Sequence, residues 1–172
     1  MNLMQRDREN VVEFMLNDGS TLLIRRYSED DLPSIFEIEK LCFSSDEQYT
    51  AQHLEMLGQF QNYRFLVAQE TVRHTIVGYC IGVIKVTKDG LMGHIISIAV
   101  HPDWRRKGIG HKLIKELMRQ LKDDGASYFR LEVKMTNKAA RKMYRKLGFN
   151  YEYILRNYYG DGKDAVVMKI SA

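Results

Sequence analysis

The chain has 172 residues, 45% of them hydrophobic, 28% charged and only two proline, which suits one domain with a sizeable core and is too short for two ordinary ones. No apolar run approaches about 18 residues, so no segment is expected to span a membrane. Lysine and arginine outnumber aspartate and glutamate by 26 to 22, a surplus that fits an anionic ligand, a nucleic acid or a solvated face, and composition does not choose among them.

The opening MNLMQRDREN is polar, lacks the apolar stretch of a signal peptide, and is expected to be loosely held. Two apolar stretches, VVEFML and TLLIRRY, then flank Asn17-Asp18-Gly19-Ser20, a turn signal that predicts a hairpin over about 11–27. Ser28 is placed to cap a helix running to about 41, with Leu32, Ile35, Phe36 and Ile38 on its apolar face. A loop over 43–49 leads to a short helix containing Leu54, Met56 and Leu57. Three strands follow at about 63–69, 75–87 and 93–100, the last two joined at Lys88-Asp89-Gly90. Beyond His101-Pro102-Asp103 the period changes: Ile109, Leu113, Ile114, Leu117, Met118 and Leu121 recur at helical spacing over about 108–122. A strand over 127–133 precedes a helix capped by Asn137 and ended by Gly148. Tyr151 to Arg156 and Ala165 to Ile170 form a last hairpin around Gly160-Asp161-Gly162. The order β-β-α-α-β-β-β-α-β-α-β-β implies an α/β (α+β) fold with a mixed, mostly antiparallel central sheet flanked by helices and an extra N-terminal hairpin strand. Its one βαβ-like unit lies around the long helix, and a ligand is to be sought there.

Arg105-Arg106-Lys107-Gly108-Ile109-Gly110 joins that unit's first strand to its helix. Closely spaced glycines let the backbone turn tightly and aim several amides one way at the positive end of a helix, which can grip a phosphate. An ordinary basic strand-to-helix turn would look the same. The run is not a Walker motif, and it lacks the Gly-x-Gly-x-x-Gly of a dinucleotide unit. The histidines His53, His74, His94, His101 and His111 and the cysteines Cys42 and Cys80 offer no zinc-like spacing, so no metal is expected. Both cysteines read as small buried hydrophobes of a reducing compartment.

The stretch Ile98-Ala99-Val100-His101-Pro102-Asp103-Trp104-Arg105-Arg106-Lys107-Gly108-Ile109-Gly110 closely resembles the acetyl-CoA signature of the GNAT superfamily, Arg/Gln-x-x-Gly-x-Gly/Ala. Leu131-Glu132-Val133 followed by Asn137, Ala139, Ala140, Tyr144, Leu147, Gly148 and Phe149 resembles the other half of that fold. Asn157-Tyr158-Tyr159-Gly160-Asp161-Gly162-Lys163-Asp164-Ala165 is similar to the protein N-terminal acetyltransferases, the RimI-like and NatA-like branch, and particularly its archaeal members. The resemblance covers about 21–170 and implies a GNAT acyl-CoA N-acyltransferase fold: a single catalytic domain over 21–172 after an N-terminal extension, 1–20, that holds the first hairpin strand. It implies acetyl-CoA as cofactor, with the backbone of Ile98, Ala99 and Val100 on the pantetheine arm and Arg105, Arg106, Lys107, Gly108, Ile109, Gly110 and His111 at the pyrophosphate.

Acetylating an ammonium group requires a base or water path near the nitrogen and an acid near the departing thiolate. Glu132 interrupts the apolar run of its strand, which by itself is equally a routine polar face; the resemblance matches it to a carboxylate near the substrate amine, acting as base through water. His94 opens the strand His94-Ile95-Ile96-Ser97-Ile98; a lone histidine there is often only an edge residue, but the resemblance aligns it with a histidine that shares the deprotonation. Tyr144 is a candidate for packing between helix and sheet, and by resemblance its hydroxyl protonates the leaving thiolate. Asn137 caps its helix and, by resemblance, touches the CoA arm.

Tyr158 and Tyr159, if on a strand, face opposite sides, and the resemblance places the pair in a wall over the substrate peptide. By the same resemblance the loop Leu41-Cys42-Phe43-Ser44-Ser45-Asp46 is expected to form the opposite wall, with Phe43 at a position where NatA-type members carry leucine and Ser45 where they carry glutamate; that departure leaves the preferred first residue open. The implied partners are protein or peptide N-termini, a ribosomal protein or the ribosome's vicinity among them, for a cytoplasmic monomer or homodimer. Acetylation of lysine or a small amine, and a noncatalytic acetyl-CoA-binding module, are the competing readings.

Overall fold

The computed structural model describes residues 11–172; the polar opening ten, expected to be loosely held, lie outside the described residues. The strands are β1 (Val12–Met15), β2 (Thr21–Arg26), β3 (Tyr63–Glu70), β4 (Ile76–Thr87), β5 (Gly90–Val100), β6 (Tyr128–Lys134), β7 (Asn150–Leu155) and β8 (Ala165–Ser171). The helices are α1 (Leu32–Cys42), α2 (Ala51–Gln59), α3 (Ile109–Asp123) and α4 (Lys138–Lys146), with single 3-10 turns at Glu29–Asp31 and Pro102–Trp104. Their order along the chain is the expected one.

All eight strands form one mixed sheet in the order β1-β2-β3-β4-β5-β6-β8-β7, flanked by the four described helices. β5 and β6 pair in parallel, as a βαβ unit around α3 requires. The pairs β1–β2, β2–β3, β6–β8 and β7–β8 are antiparallel. The closing hairpin enters in reverse: its second strand, β8, pairs with β6, and β7 is left at the sheet's edge. Among the described residues no helix is long and apolar enough to cross a membrane.

By their contacts the residues gather into two compact units. The first runs to Ile81 and adds Ser97–Leu117. Its opening hairpin turns where Gly19 takes a φ of +85° and the Asp18 carboxylate accepts the Ser20 N–H at 3.0 Å. In β2 the alternation of Leu22 and Ile24, both fully buried, sets the inward face. Ser28 begins a 3-10 turn instead of α1 itself, because the Asp31 carboxylate accepts the Ser28 N–H at 2.8 Å and is gripped by both Arg25 terminal nitrogens at 2.8 Å. α1 therefore starts one turn later, with Pro33 in its first turn where no N–H is missed. Thr50 caps α2 by accepting the His53 N–H at 3.2 Å.

The second unit holds Gly82–Ile96 and Met118–Ala172. In β6 the residues Phe129, Leu131 and Val133 are buried, while Arg130, Glu132 and Lys134 line the other face. Glu132 thus does not interrupt an apolar run but belongs to the polar half of an alternating strand. Asn137 caps α4, its Oδ1 accepting the Ala140 N–H at 3.1 Å, and Gly148 ends the helix at a φ of +95°.

Candidate active site

In the first unit, β5 runs on to Val100 although its pairing with β6 ends at Ile95 opposite Leu131. The turn beyond it alternates hand: Arg106 has a φ of +65° and Gly108 one of +83°. A Cβ built on Gly108 would meet nothing within 4 Å, so the glycine serves backbone conformation and not a tight fit. The fifteen-residue α3 begins at Ile109, and the first amides of a helix have no intrahelical carbonyl. Alternating hand followed by a helix N-terminus makes a concave set of N–H donors suited to an anion. Gly110 lies inside α3 itself, so the two glycines have separate duties.

Two of the turn's three basic side chains, Arg105 and Lys107, are engaged. Arg105 donates from Nε to the Val100 carbonyl at 3.1 Å and from a terminal nitrogen to Cys42 Sγ at 3.2 Å. Lys107 reaches back to the opening hairpin, where its Nζ meets Asp18 at 2.6 Å and lies 4.7 Å from the centre of the Trp104 ring. The hydrogen bond from Lys107, aided by the Ser20 amide, pulls the Asp18 carboxyl down to about 2. Both cysteines are free. Cys80 is buried as expected, but Cys42 is only half-buried because α1 ends there and its sulfur faces Arg105.

In the second unit, the parallel register sets His94 opposite Arg130, with Glu132 two residues further along the same face of β6. His94 Nε2 and Glu132 Oε2 are 2.6 Å apart, and the side chains are 13% and 11% exposed. Arg130 Nε lies 3.5 Å from Glu132 Oε1. Burial works to raise the Glu132 carboxyl, but the His94 hydrogen bond and the charges of His94, Arg130 and Lys85 outweigh it and hold the group below its ordinary value. Near neutral pH Glu132 is therefore ionised and can only accept. With Glu132 an acceptor only, the hydrogen of that bond is assigned to His94 Nε2. Nδ1 is buried and has no hydrogen-bond partner.

Tyr158 and Tyr159 are not on a strand: β7 stops at Leu155, and Asn157 turns the chain at a φ of +53°. Their rings meet edge to face at 4.9 Å instead of facing opposite sides. Asn157 and Asp164 shape this turn, Asn157 Oδ1 accepting the Gly162 N–H at 2.8 Å and Asp164 accepting the Asn157 N–H at 2.9 Å and Arg156 at 2.7 Å. The Tyr159 hydroxyl donates to the Glu132 carbonyl at 3.1 Å, tying the turn to the strand that carries the carboxylate. Tyr158 is half exposed; burial and the Glu132 charge raise its phenol, against Arg130. Tyr144 is 5% exposed on α4, its ring 5.8 Å from that of Phe149.

Back in the first unit, Phe43 and Ser45 lie on the loop between α1 and α2, as expected. Sequence reasoning passed over Glu39 on α1, which is 1% exposed and hydrogen-bonded to Tyr79 and to the Tyr49 amide. The signal was there: at helical spacing Glu39 shares a stripe with Ile35, Ile38 and Cys42, and a carboxylate on a core-facing stripe needs partners.

The Acetyltransferase (GNAT) family profile matches residues 32–149. An N-alpha-acetyltransferase of Saccharolobus solfataricus is 32% identical over 161 residues, 87% of this chain and 93% of that protein. The [ribosomal protein bS18]-alanine N-acetyltransferase of Escherichia coli is 33% identical over 145 residues, 81% of this chain and 90% of that protein. Among solved structures, Ard1 from Thermoplasma volcanium superposes with a TM-score of 0.75 at 28% identity, covering 88% of this chain and 97% of that one. With the strand order, the alternating-hand turn at the head of α3 and these matches in agreement, the chain belongs to the GNAT acetyltransferase family, in its RimI-like and NatA-like branch.

Proposed function

We propose that this protein moves the acetyl group of acetyl-CoA onto the free N-terminal α-amine of proteins or peptides. The observation that carries the reading is the His94–Glu132 pair, 2.6 Å apart and almost dry, with the imidazole's second nitrogen unpartnered. The choice of an α-amine is supported by relatives named as N-alpha-acetyltransferase and as ribosomal-protein alanine N-acetyltransferase, which match 87% and 81% of the chain.

The turn before α3 fits the phosphate end of the cofactor, since Gly108 leaves open space where a side chain would stand and the helix N-terminus supplies amides. Arg105, Arg106, Lys107, Gly108, Ile109, Gly110 and His111 would hold that end. The backbone of Ile98, Ala99 and Val100, on the part of β5 beyond its pairing with β6, would hold the pantetheine arm. Asn137 and Tyr144 are the further cofactor contacts in this reading. When bound, acetyl-CoA supplies an acetyl thioester that the acceptor nitrogen attacks directly, with no acyl group on the enzyme.

Glu132 takes the proton of the acceptor ammonium through water, and His94, hydrogen-bonded to it, shares the deprotonation. The pair thereby acts as one base. Tyr144 gives its phenolic proton to the departing sulfur. Phe43, Ser45, Tyr158 and Tyr159 receive the peptide end. A cytoplasmic enzyme acting near the ribosome, on a ribosomal protein among others, as a monomer or homodimer and with 21–172 as its catalytic domain after an extension over 1–20, completes the proposal.

The test is acetyl-CoA turnover with peptides of Ser-, Ala-, Met- and ribosomal-protein-like starts and with an N-terminally blocked peptide containing lysine. Turnover confined to free termini supports the reading. Activity on the blocked peptide or on a polyamine moves it to side-chain or small-amine acetylation, and binding of CoA without turnover makes the protein a noncatalytic binding module.

A further inference from the structure

The 43–50 loop carries Phe43 and Ser45, and one residue of α1 holds both of its ends. The Glu39 main-chain carbonyl accepts the Phe43 N–H at 3.0 Å. Glu39 Oε1 accepts the Tyr49 N–H at 2.8 Å. Its other oxygen accepts the hydroxyl of Tyr79 on β4, which also lies 3.3 Å from Ser97 Oγ on β5. Between the two anchors the loop is tied to itself: Gln48 Nε2 donates to the Phe43 carbonyl at 2.8 Å, and the Glu47 and Gln48 amides converge on the Ser44 carbonyl at 2.8 and 3.1 Å. Glu39 and Tyr79 are 1% and 0% exposed, so water cannot replace a lost partner, and each bond in the chain from Tyr49 to Ser97 constrains the next.

We infer that Glu39 is a positioning residue for the acceptor: it fixes the 43–50 loop against β4 in the shape that receives the first residue of the peptide. The inference rests on the reading of that loop as the acceptor wall. A carboxyl group buried for packing alone would be a poor choice, since a leucine there would continue the stripe of Ile35 and Ile38 without the cost of desolvating an acid. The acid supplies what leucine cannot, two acceptors aimed at two elements. Burial raises the Glu39 carboxyl and the bonds from Tyr79 and Tyr49 oppose the rise, in keeping with oxygens already committed to donors.

Three variants separate anchoring from bulk. Glu39→Met fills the space but accepts nothing, Glu39→Ala empties it, and Glu39→Gln keeps an oxygen for the Tyr49 amide and an NH2 for the Tyr79 hydroxyl. Hydrogen exchange of the unliganded protein reads the anchor directly: the amides of 43–50 should exchange about tenfold faster in Glu39→Met and stay protected in Glu39→Gln. In steady-state kinetics Glu39→Met should raise the peptide KM about tenfold with little change in the acetyl-CoA KM, and Glu39→Gln should restore it. Glu39→Ala should match Glu39→Met if it folds, and Glu39→Met alone decides the question if it does not. Unchanged exchange in Glu39→Met, equal rises in both KM values, or a Glu39→Gln as impaired as Glu39→Met overturns the inference. Turnover of only lysine or a small amine by the wild type sinks the N-terminal reading, while the KM split measured with that amine still judges Glu39; no turnover of any acceptor sinks both.

Discussion

If His94 and Glu132 form one base, removing either should disable the other. The perturbation is a cycle of His94→Ala, Glu132→Gln and the double variant. At 2.6 Å and with both side chains little exposed, a hydrogen bond to a charged group is worth about 1.5–3 kcal/mol, or roughly 10- to 150-fold in an equilibrium. Loss of a general base costs about 10²- to 10⁴-fold in rate. Glu132→Gln keeps an oxygen that accepts from His94 Nε2 while deleting the charge, so it should lower kcat/KM by about 100-fold, mostly through kcat. His94→Ala removes the partner that shares the deprotonation and should cost a comparable factor. The double variant should then fall no more than about tenfold below the worse single one, because a broken unit cannot be broken twice. The assay is initial-rate release of CoA thiol with a free-terminus peptide, with acetyl-CoA binding checked separately. Multiplying losses, near 10⁴-fold in the double variant, would mean two independent roles and refute the reasoning.

The same carboxylate predicts a pH-dependent stability. Because its folded pKa lies below the ordinary 4.5, the native state holds it ionised where the unfolded chain would begin to protonate it. The stabilisation is therefore present above 4.5 and lost as pH falls through the lower folded value. Wild type should melt higher than Glu132→Gln at neutral pH, and the difference should close on acidification; a constant difference across that range would contradict the sign. Gly108→Ala places a Cβ in open space but on a φ of +83°, so a melt should show a loss of about 1–2 kcal/mol and calorimetry a weaker acetyl-CoA affinity. Asn137→Ala deletes the cap on Ala140 and should cost about 1 kcal/mol in a denaturant titration, against a few tenths for Asn137→Gly. Ser45→Glu should reorder the preferred first residues in a peptide panel, and an unchanged ranking would remove Ser45 from the acceptor wall.

Much of this protein is written in short-range chemistry. The Asn17-Asp18-Gly19-Ser20 turn, the Asn137 cap, the Gly148 stop and the helical period from Ile109 to Leu121 each depend on residues within a few positions of one another, and each is found as the sequence implies. The glycine at 108 is of the same kind, since the need for positive φ is local. That is why the order of elements, and the turn offered to a phosphate, are legible without coordinates.

What the sequence could not settle depends on partners far apart along the chain. His94 meets Glu132 across 38 positions and Glu39 meets Tyr79 across 40; neither pairing follows from any local period. Strand alternation would send Tyr158 and Tyr159 to opposite sides, but Asn157 turns the chain before them and their rings meet. The entry of β8 between β6 and β7 follows from which strand edge was free, a property of the assembled sheet. By itself the sequence determined the elements, the family signature and the types of residue available for the chemistry. Only the tertiary structure decided which of them touch, because hydrogen bonds between distant segments exist only once burial has brought those segments together and excluded the water that would otherwise satisfy them.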